Sequence, residues 1–289
     1  MKLATYERNG QVGIGIVAEK QIHAIQDPGM PTSMLEFIQG GNELWKKVNF
    51  NFQRRDFKTY LLPEVHLLAP INNPPKIMAI GHNYMDHIRE QTNVPVPTQP
   101  MLFAKYPTSI IGPDETISWD EQLTQQVDLE GELGVVIGQK TRRVTEDMAL
   151  ESVFGYTILN DVSARDVQYG DKQWTRGKSL DTFCPMGPVI VTKDEIPDPQ
   201  ALHLSSRIND FVMQDSSTKE MIFSVRYLIS FLSQSFTLEA GDLIATGTPK
   251  GVGMYRSPQI FLKDGDIVTI EVEKIGTITN PIKILKNEG

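Results

Sequence analysis

Short strand-like runs follow one another along most of this chain, with few helices between them. From about Lys76 onward they include KIMAIG, MLFAKY, ELGVVIG, VFGYTILND, GPVIVT, LHLSSRIND and DLIATGT. The helical candidates are fewer and short, chiefly TEDMALESV and MIFSVRYLISFLSQSF. A doubly wound sheet would show a regular alternation of strands and helices, which this sequence lacks. The pattern therefore predicts an α+β fold dominated by β-strands.

The first 60 or so residues form a separate group of such runs. The strand-like segments are MKLATYE, VGIGIVAE and QIHAIQD, and Asn9-Gly10 suits a tight hairpin turn between the first two. A helix follows in TSMLEFIQGGNELWKKV, with Thr32 or Ser33 as its N-cap. The prolines of LLPEVHLLAPINNPPK then interrupt any regular element. We predict a small β-rich N-terminal domain at residues 1–70 and a larger domain at 71–289.

Composition and charge narrow the class of partner. The formal net charge is −8, whereas nucleic-acid binding requires a surplus of Lys and Arg, so no nucleic acid is expected. The sequence has no apolar run of membrane-spanning length and opens on neither a signal peptide nor a transit peptide, so we expect a cytoplasmic protein that does not enter a membrane. Cys184 is the single cysteine, which excludes an intramolecular disulfide and a thiolate zinc cluster.

Two acids occupy an unexpected place in the strand-like stretch QQVDLEGELGVVIGQK. Glu130 and Glu132 share one face of a strand, and two buried carboxylates this close repel unless a proton, a basic group or a cation compensates. Asp161 ends another strand-like run, and three carboxylates suit Mg²⁺ or Mn²⁺. Asp128 lies two residues before Glu130 and so would share the same strand face, but it is expected near solvent at the start of the strand. Spacing alone leaves open a solvated strand face with Asp161 as a simple helix cap.

Two short segments could place polar groups beside these acids. If VSARDVQ forms a helical turn, Arg165 and Gln168 lie on the same face as Asp161, so Arg165 could support the carboxylate and Gln168 could reach a ligand. The same residues are also explained by an Asp161 that caps the helix and an Arg165 that lies on the surface. In GHNYMDHIRE, His87 and Glu90 would share a helix face, where a carboxylate can make an imidazole a general base. Exposed pairs of this kind are also common.

Two lysines and a glycine-rich segment complete the candidates. Lys105 and Lys178 have apolar and aromatic neighbours, so each is either a surface lysine with a buried stem or an anion-stabilising cation. The segment ATGTPKGVG is not a phosphate loop, because Lys250 precedes a glycine and neither GKS nor GKT follows. Its backbone amides and the Thr248 hydroxyl are better suited to a carboxylate.

Taken in order, these segments resemble the fumarylacetoacetate hydrolase family from about Lys76 to the C-terminus. The resemblance is carried by GHNYMDHIRE, MLFAKYPTSIIGP, VDLEGELGVVIG, GYTILNDVSARDVQ, RGKSLDTFCPMGP, GDLIATGTPKGVG and LKDGDIVTIEVEKIGTITNPI. It implies a mixed β-sandwich roll as the catalytic domain, a small N-terminal β-rich domain and a homodimer. The chain is most similar to the bacterial acylpyruvase and oxaloacetate decarboxylase-like members.

The resemblance also implies roles for individual residues. The implied ligands of Mg²⁺ or Mn²⁺ are Glu130, Glu132 and Asp161. The implied catalytic residues are His87, Glu90 and Lys178. The implied substrate-binding residues are Lys105, Arg165, Gln168 and Thr248. The sequence departs from the family pattern at Ala104, Tyr106 and Gly131, which puts the shape of the pocket in question.

The implied activity is hydrolysis of a C–C bond. The substrate would be a 2,4-dioxo acid of the acylpyruvate or fumarylpyruvate type, cleaved through a metal-stabilised enolate to pyruvate and a carboxylic acid. Oxaloacetate decarboxylation at the same site is the first alternative. A sugar-acid 2,4-dioxo hydrolase and a dienoate isomerase or hydratase are further alternatives. A non-catalytic protein that binds a 2-oxo acid is the alternative from another class. In each case the partner is a small 2-oxo acid.

Overall fold

Three antiparallel strands open the chain, as predicted. The computed structural model describes residues 1–26, 29–54, 57–92 and 94–286, and for 51–54 it describes the backbone alone. The strands are β1 (Lys2–Arg8), β2 (Gln11–Ala18) and β3 (Gln21–Ala24). Asn9 and Gly10 have φ of 52° and 75°, the positive values that a tight turn between β1 and β2 requires.

Two helices follow the first strands. Ser33 caps α1 (Met34–Gln39) by accepting a hydrogen bond from the Glu36 backbone N–H. The chain then breaks at Gly40, and α2 (Gly41–Arg54) begins at a glycine with φ of 59°. This confirms the predicted helix, its N-cap and its interruption at the two glycines.

The proline-rich segment is more regular than the sequence predicted. Strand β4 (Lys58–Leu61) ends at the first residue of this segment, which then contains a 3₁₀ turn at Leu62–Glu64 and β5 (His66–Leu68). Pro63 is tolerated because it lies in that turn, and the residues between it and Pro70 are enough for β5 to pair with β1. The expectation that no regular element survives here was therefore wrong.

The rest of the chain is mostly strands. They are β6 (Ile77–Gly81), β7 (Met101–Lys105), β8 (Ile110–Ile111), β9 (Ile117–Asp120), β10 (Val127–Asp128), β11 (Gly131–Ile137), β12 (Val153–Asn160), β13 (Ser163–Ala164), β14 (Cys184–Thr192), β15 (His203–Ile208), β16 (Phe211–Ser217), β17 (Leu243–Ala245), β18 (Ile267–Val272) and β19 (Gly276–Leu285). The helices are α3 (Met85–Arg89), α4 (Glu146–Ala149), α5 (Arg165–Gly170) and α6 (Val225–Ser235). Among the described helices, none combines the length and apolar character needed to cross a membrane.

The strands form one large and two smaller sheets. The large sheet has the order β4-β3-β2-β1-β14-β12-β11-β17-β6-β7, with β5 added beside β1 and β8 beside β14. A second sheet has the order β16-β15-β18-β19-β9, and β10 pairs with β13. Most pairs are antiparallel, whereas β6 with β17, β8 with β14 and β9 with β19 are parallel. The predicted β-dominated α+β fold with mixed sheets is confirmed.

The N-terminal strands continue the large sheet. Lys2 and Leu3 of β1 pair with Val191 and Ile190 of β14, so the backbone hydrogen bonds run without a break from the first strands to the centre of the sheet. Whether residues 1–70 fold as a domain of their own remains a prediction.

Strand β11 lies at the centre of the large sheet and is buried on both faces. Leu133, Val135 and Ile137 belong to one apolar cluster, whereas Val136 packs with Leu159 in another. A strand covered on both sides is expected to be apolar throughout. The first residues of β11 are the exception, and the acids there lie where the strand leaves the apolar core.

We expect Leu159→Ala to lower the free energy of unfolding by about 2–5 kcal/mol, because it opens a cavity between packed layers. Urea unfolding followed by fluorescence measures the change. Leu285→Ala is the control, since Leu285 is 50% exposed and should change stability by no more than about 0.5 kcal/mol. Equal losses in the two variants would contradict the placement of this core.

Candidate active site

The ends of two neighbouring strands bring three acids together. Strands β11 and β12 are antiparallel and pair Gly131 with Asn160, so the residues just outside this pair are neighbours. The Asp161 backbone N–H accordingly donates to the Glu130 carbonyl at 2.9 Å. Carboxylate oxygens of Glu130, Glu132 and Asp161 all lie within 4.8 Å of one another, and all three residues are buried. The solvated strand face is thereby excluded.

Three cations compensate two of these acids. The Lys178 ammonium donates to Glu130 Oε2 at 2.6 Å and to Asp161 Oδ2 at 2.7 Å. Lys105 Nζ lies 2.7 Å from the other oxygen of Asp161 and also donates to the Lys178 carbonyl. Arg165 Nη1 lies 2.6 Å from Glu130 Oε1. Glu130 and Asp161 are therefore each held between two basic side chains.

These contacts fix the charge of the groups involved. Burial raises the pKa of Glu130, but the Lys178 and Arg165 cations outweigh it and hold that pKa at about 2. Burial lowers the pKa of Lys178, but the Asp161 and Glu130 carboxylates outweigh it, so the pKa lies above its ordinary value. At neutral pH the Lys178 side chain is an ammonium and Glu130 is a carboxylate.

Glu132 is the acid that lacks such a partner. Its Oε2 accepts a hydrogen bond from the Gly247 N–H at 2.8 Å, and no Lys or Arg in the described part of the chain forms an ion pair with it. Burial, followed by repulsion from Asp161 and Glu130, raises the pKa of Glu132 well above its usual range. Three close carboxylates, one of them without a cation, are a donor set that fits Mg²⁺ or Mn²⁺.

Gly247 meets a geometric requirement of this arrangement. Its φ is 98°, a left-handed conformation that favours glycine, and a Cβ here would lie 2.8 Å from Asn83 Cβ. The glycine-rich segment therefore presents a backbone amide to a carboxylate, as predicted, although in the structure that carboxylate belongs to Glu132.

The predicted histidine and glutamate pair is present, with His87 on α3 and Glu90 as the C-cap residue of that helix. His87 Nδ1 lies 2.7 Å from Glu90 Oε1, and His87 is buried. The other oxygen of Glu90 accepts a hydrogen bond from the Gly251 N–H at 2.8 Å, which docks α3 onto the glycine-rich segment. Because Nδ1 is engaged by Glu90, Nε2 is the ring nitrogen left to act on a ligand.

The three acids and His87 line one small cavity, and Glu90 supports His87 from outside it. Its volume is about 20 Å³, which is room for roughly one water molecule. The predicted site residues that line it are His87, Glu130, Glu132, Asp161, Arg165, Gln168, Lys178 and Thr248. Lys105 contacts this group from behind Asp161. The structure thus brings together residues from four distant parts of the sequence.

Aromatic residues that the sequence analysis did not single out form the cavity walls. Tyr169 and Tyr255 meet through their hydroxyls at 3.2 Å, and the Tyr255 ring lies 5.6 Å from that of His87. Trp174 packs against His82, with ring centroids 5.5 Å apart. Burial, followed by repulsion from His87, lowers the pKa of His82 to about 4, so this imidazole is neutral. No local sequence pattern identifies these walls, because Tyr169 and Trp174 lie on or just after α5 whereas Tyr255 lies in a distant 3₁₀ turn.

Two expectations about the polar surroundings were wrong. Helix α5 begins at Arg165, because Ser163–Ala164 pairs as β13 with β10, so Asp161 is not on its face. Arg165 does contact Gln168 at 3.2 Å, but its carboxylate partners are Glu130 and Asp128. Asp128, expected near solvent, is 1% exposed. The antiparallel pairing of β10 with β13 buries it next to Arg165.

The remaining predictions concern the pocket surface. Thr248 Oγ1 donates to the Gly131 carbonyl at 3.0 Å and accepts from Gln214 at 2.6 Å, and its contact with substrate remains a prediction. The departures from the family pattern point away from the cavity. A Cβ on Gly131 would lie 3.0 Å from Ile270, and Ala104 and Tyr106 are exposed.

Three buried carboxylates beside a histidine, at the ends of strands in mixed β-sheets, form a candidate site for a divalent metal ion. The comparison with known families agrees with this interpretation. Residues 76–283 match the family model described as fumarylacetoacetate (FAA) hydrolase C-terminal. The chain belongs to the fumarylacetoacetate hydrolase family.

Similar proteins extend this match to nearly the whole chain. Over 260 residues the chain is 45% identical to oxaloacetate tautomerase fahd2, mitochondrial, of Xenopus laevis, with 89% of this chain and 80% of that protein covered. The fumarylacetoacetate hydrolase structure from Exiguobacterium antarcticum is 41% identical with a TM-score of 0.89 and covers 99% of this chain and 100% of that one. The maleylpyruvate hydrolase of Sphingobium sp. SYK-6, solved with manganese(II) and pyruvate, is 28% identical with a TM-score of 0.82, covering 98% and 99%.

We expect Glu132→Gln to abolish stabilisation by a divalent cation. Mn²⁺ at roughly 100 times its dissociation constant should stabilise the wild type by about 2.7 kcal/mol, seen as a rise in Tm. Without metal the variant should be at least as stable as the wild type, because burial and repulsion from Asp161 and Glu130 already disfavour the charged form of Glu132. Glu271→Gln, an exposed acid of β18, is the control and should retain the Mn²⁺ shift. An undiminished shift in Glu132→Gln would contradict the site.

Proposed function

We propose that this chain is a Mg²⁺- or Mn²⁺-dependent enzyme that interconverts the keto and enol forms of a small 2-oxo dicarboxylic acid, with oxaloacetate as the main candidate. The observation that carries the proposal is that His87, held by Glu90 at 2.7 Å, lines the same cavity as the three acids. Tautomerisation requires a base beside a polarised carbonyl group, and no attacking water. The relative named oxaloacetate tautomerase supports this choice.

The cavity supports a short substrate. Tyr169, Trp174 and Tyr255 surround a volume of only about 20 Å³, so part of this wall must move before any oxo acid enters. A four-carbon dicarboxylic acid requires less displacement of this wall than an extended dioxo acid does.

The charges of the site suit an anionic substrate. A divalent cation held by Glu130, Glu132 and Asp161 would supply Lewis-acid stabilisation of negative charge on the 2-oxo oxygen. Lys178 already directs two N–H groups to Glu130 and Asp161, so its third can be donated to that oxygen. The Arg165 guanidinium fixes the position of the Glu130 carboxylate and balances its negative charge.

His87 is the group that moves the proton. Its Nδ1 hydrogen bond to Glu90 orients the ring and favours the tautomer in which Nε2 carries a lone pair. Nε2 would take a proton from C3 of the substrate while the C2–C3 double bond forms and electrons move to the 2-oxo oxygen. Protonation of that oxygen gives the enol, and the reverse sequence returns the keto form.

Hydrolysis of a 2,4-dioxo acid, which the sequence analysis placed first, is the second candidate. The same His87–Glu90 pair could deprotonate a water molecule, and the similar maleylpyruvate hydrolase structure holds manganese(II) and pyruvate. Oxaloacetate decarboxylation remains a third outcome of the same enolate. Tautomerisation was not among the alternatives drawn from the sequence.

We expect His87→Ala to lower kcat for oxaloacetate tautomerisation by roughly 10²- to 10⁴-fold, because the base is lost. Ultraviolet absorbance of the enol follows the reaction after subtraction of the spontaneous rate. His203→Ala should keep wild-type activity, since His203 is exposed and pairs with Asp215 away from the site. An unchanged kcat in His87→Ala would rule out its role as base.

The two leading candidates can be separated with the wild-type enzyme. We expect kcat/KM for oxaloacetate tautomerisation to exceed that for acetylpyruvate or fumarylpyruvate hydrolysis by at least about tenfold, a difference of about 1.4 kcal/mol in transition-state stabilisation. Enol absorbance and a coupled pyruvate assay measure the two rates with Mn²⁺ and after chelation. Faster pyruvate release from either dioxo acid would make hydrolysis the main activity.

A further inference from the structure

Asp128 is the centre of a buried hydrogen-bond network beside the site. One carboxylate oxygen accepts from the Gly253 N–H at 2.8 Å. The other accepts from the Met254 N–H at 3.0 Å and from Arg165 Nε and Nη2 at 3.0 and 2.7 Å. Four donors therefore converge on a carboxylate that is 1% exposed and does not line the cavity.

On one side the network reaches a predicted metal ligand. Arg165 uses Nε and Nη2 for Asp128, which leaves Nη1 to hold Glu130 at 2.6 Å. A guanidinium is planar, so fixing one edge of it fixes the direction of the other. The position of Glu130 is thus set in part by Asp128, although the two side chains do not touch.

On the other side the network reaches helix α3 through segment 251–255. The Gly251 N–H donates to Glu90, and the Tyr255 hydroxyl donates to Gln91 at 3.1 Å. The centre of the same segment is anchored to Asp128 through Gly253. A Cβ on Gly253 would lie 1.7 Å from the Ile260 carbonyl and 2.8 Å from Asp128, so the close approach requires glycine.

We propose that Asp128 is a positioning residue that couples the docking of α3, and with it His87, to the arrangement of the Glu130 carboxylate. The proposal rests on the proposed function in one respect, which is that Glu130 is a ligand of the divalent cation. The coupling runs from Glu90 through segment 251–255 to Asp128, and from there through Arg165 to Glu130. Helix α3 docks on a segment that Asp128 anchors, and that same carboxylate orients the Arg165 guanidinium.

The network needs a carboxylate rather than an amide. Both oxygens of Asp128 accept hydrogen bonds, and one of them accepts three. In Asp128→Asn one of these positions becomes an N–H donor that faces another donor, and the charge opposite Arg165 is lost. The substitution keeps the shape of the side chain and removes the link.

The test is hydrogen–deuterium exchange of peptides covering 82–92 and 251–255 in the metal-free protein, together with Mn²⁺ titration by calorimetry. We expect Asp128→Asn to speed exchange in both peptides by roughly tenfold or more. We expect the Mn²⁺ dissociation constant to rise roughly 10- to 100-fold. Wild-type exchange and affinity in the folded variant would overturn the proposal.

Asp242→Asn is the matched control. Asp242 is also a fully buried carboxylate, which accepts from the Glu239 N–H at 2.7 Å and pairs with Lys76 at 2.7 Å, outside this network. It should lower overall stability but leave exchange in the two peptides and Mn²⁺ affinity unchanged. The same local exchange and the same loss of affinity in both variants would show a general effect of burial and overturn the coupling.

The wild type provides a measurement that does not depend on a variant's folding. Mn²⁺ should slow exchange in 251–255 and in 82–92, because an ordered Glu130 holds Arg165 and Asp128. Bound Mn²⁺ that leaves both peptides unchanged would overturn the proposal. If the wild type binds no Mn²⁺, the proposed function fails, while the metal-free comparison of Asp128→Asn with Asp242→Asn still decides whether Asp128 holds α3 in place.

Discussion

The structure depends on how three buried carboxylates are compensated. Glu130, Glu132 and Asp161 lie within 4.8 Å of one another in the interior, where unpaired charges cost several kcal/mol each. Lys178 bridges two of them at 2.6 and 2.7 Å, whereas the one hydrogen bond that Glu132 accepts within the described residues comes from the Gly247 backbone amide. The incomplete compensation distinguishes this group from a closed structural ion-pair cluster, because it leaves the site suited to one more cation.

The central sheet supplies the rigidity that such a site needs. The register of β11 and β12 fixes Glu130 beside Asp161, and both strands are buried between two apolar clusters. Side chains on packed strands hold their positions more closely than side chains on loops.

The groups proposed to move protons are supported differently. His87 lies on a helix of five residues that is held to the sheet region through Glu90 and segment 251–255. The metal ligands and the base thus differ in how firmly they are fixed.

The charge balance around the site extends beyond the residues that line the cavity. With Glu132 ionised, as it would be when it binds a cation, four acidic side chains carry one charge more than the three basic ones around them. The acids are Asp128, Glu130, Glu132 and Asp161, and the bases are Lys105, Arg165 and Lys178. A divalent cation would reverse the sign of this sum and make the cavity attractive to an anionic oxo acid. Asp128 contributes to this balance from outside the cavity, where it also orients Arg165.

The sequence by itself determined the local features. Alternation in a strand places Glu130 and Glu132 on one face, and helical spacing joins His87 to Glu90, because both relations depend only on residues a few positions apart. The order of strand-like runs likewise predicts the β-dominated fold. The tertiary structure decided what depends on distant segments. The pairing of β10 with β13 starts helix α5 at Arg165 and buries Asp128. The packing of α5 and the residues after it against segment 251–255 brings Tyr169, Trp174 and Tyr255 together around the cavity. No local pattern encodes these contacts, because each of them joins segments that are distant in the sequence.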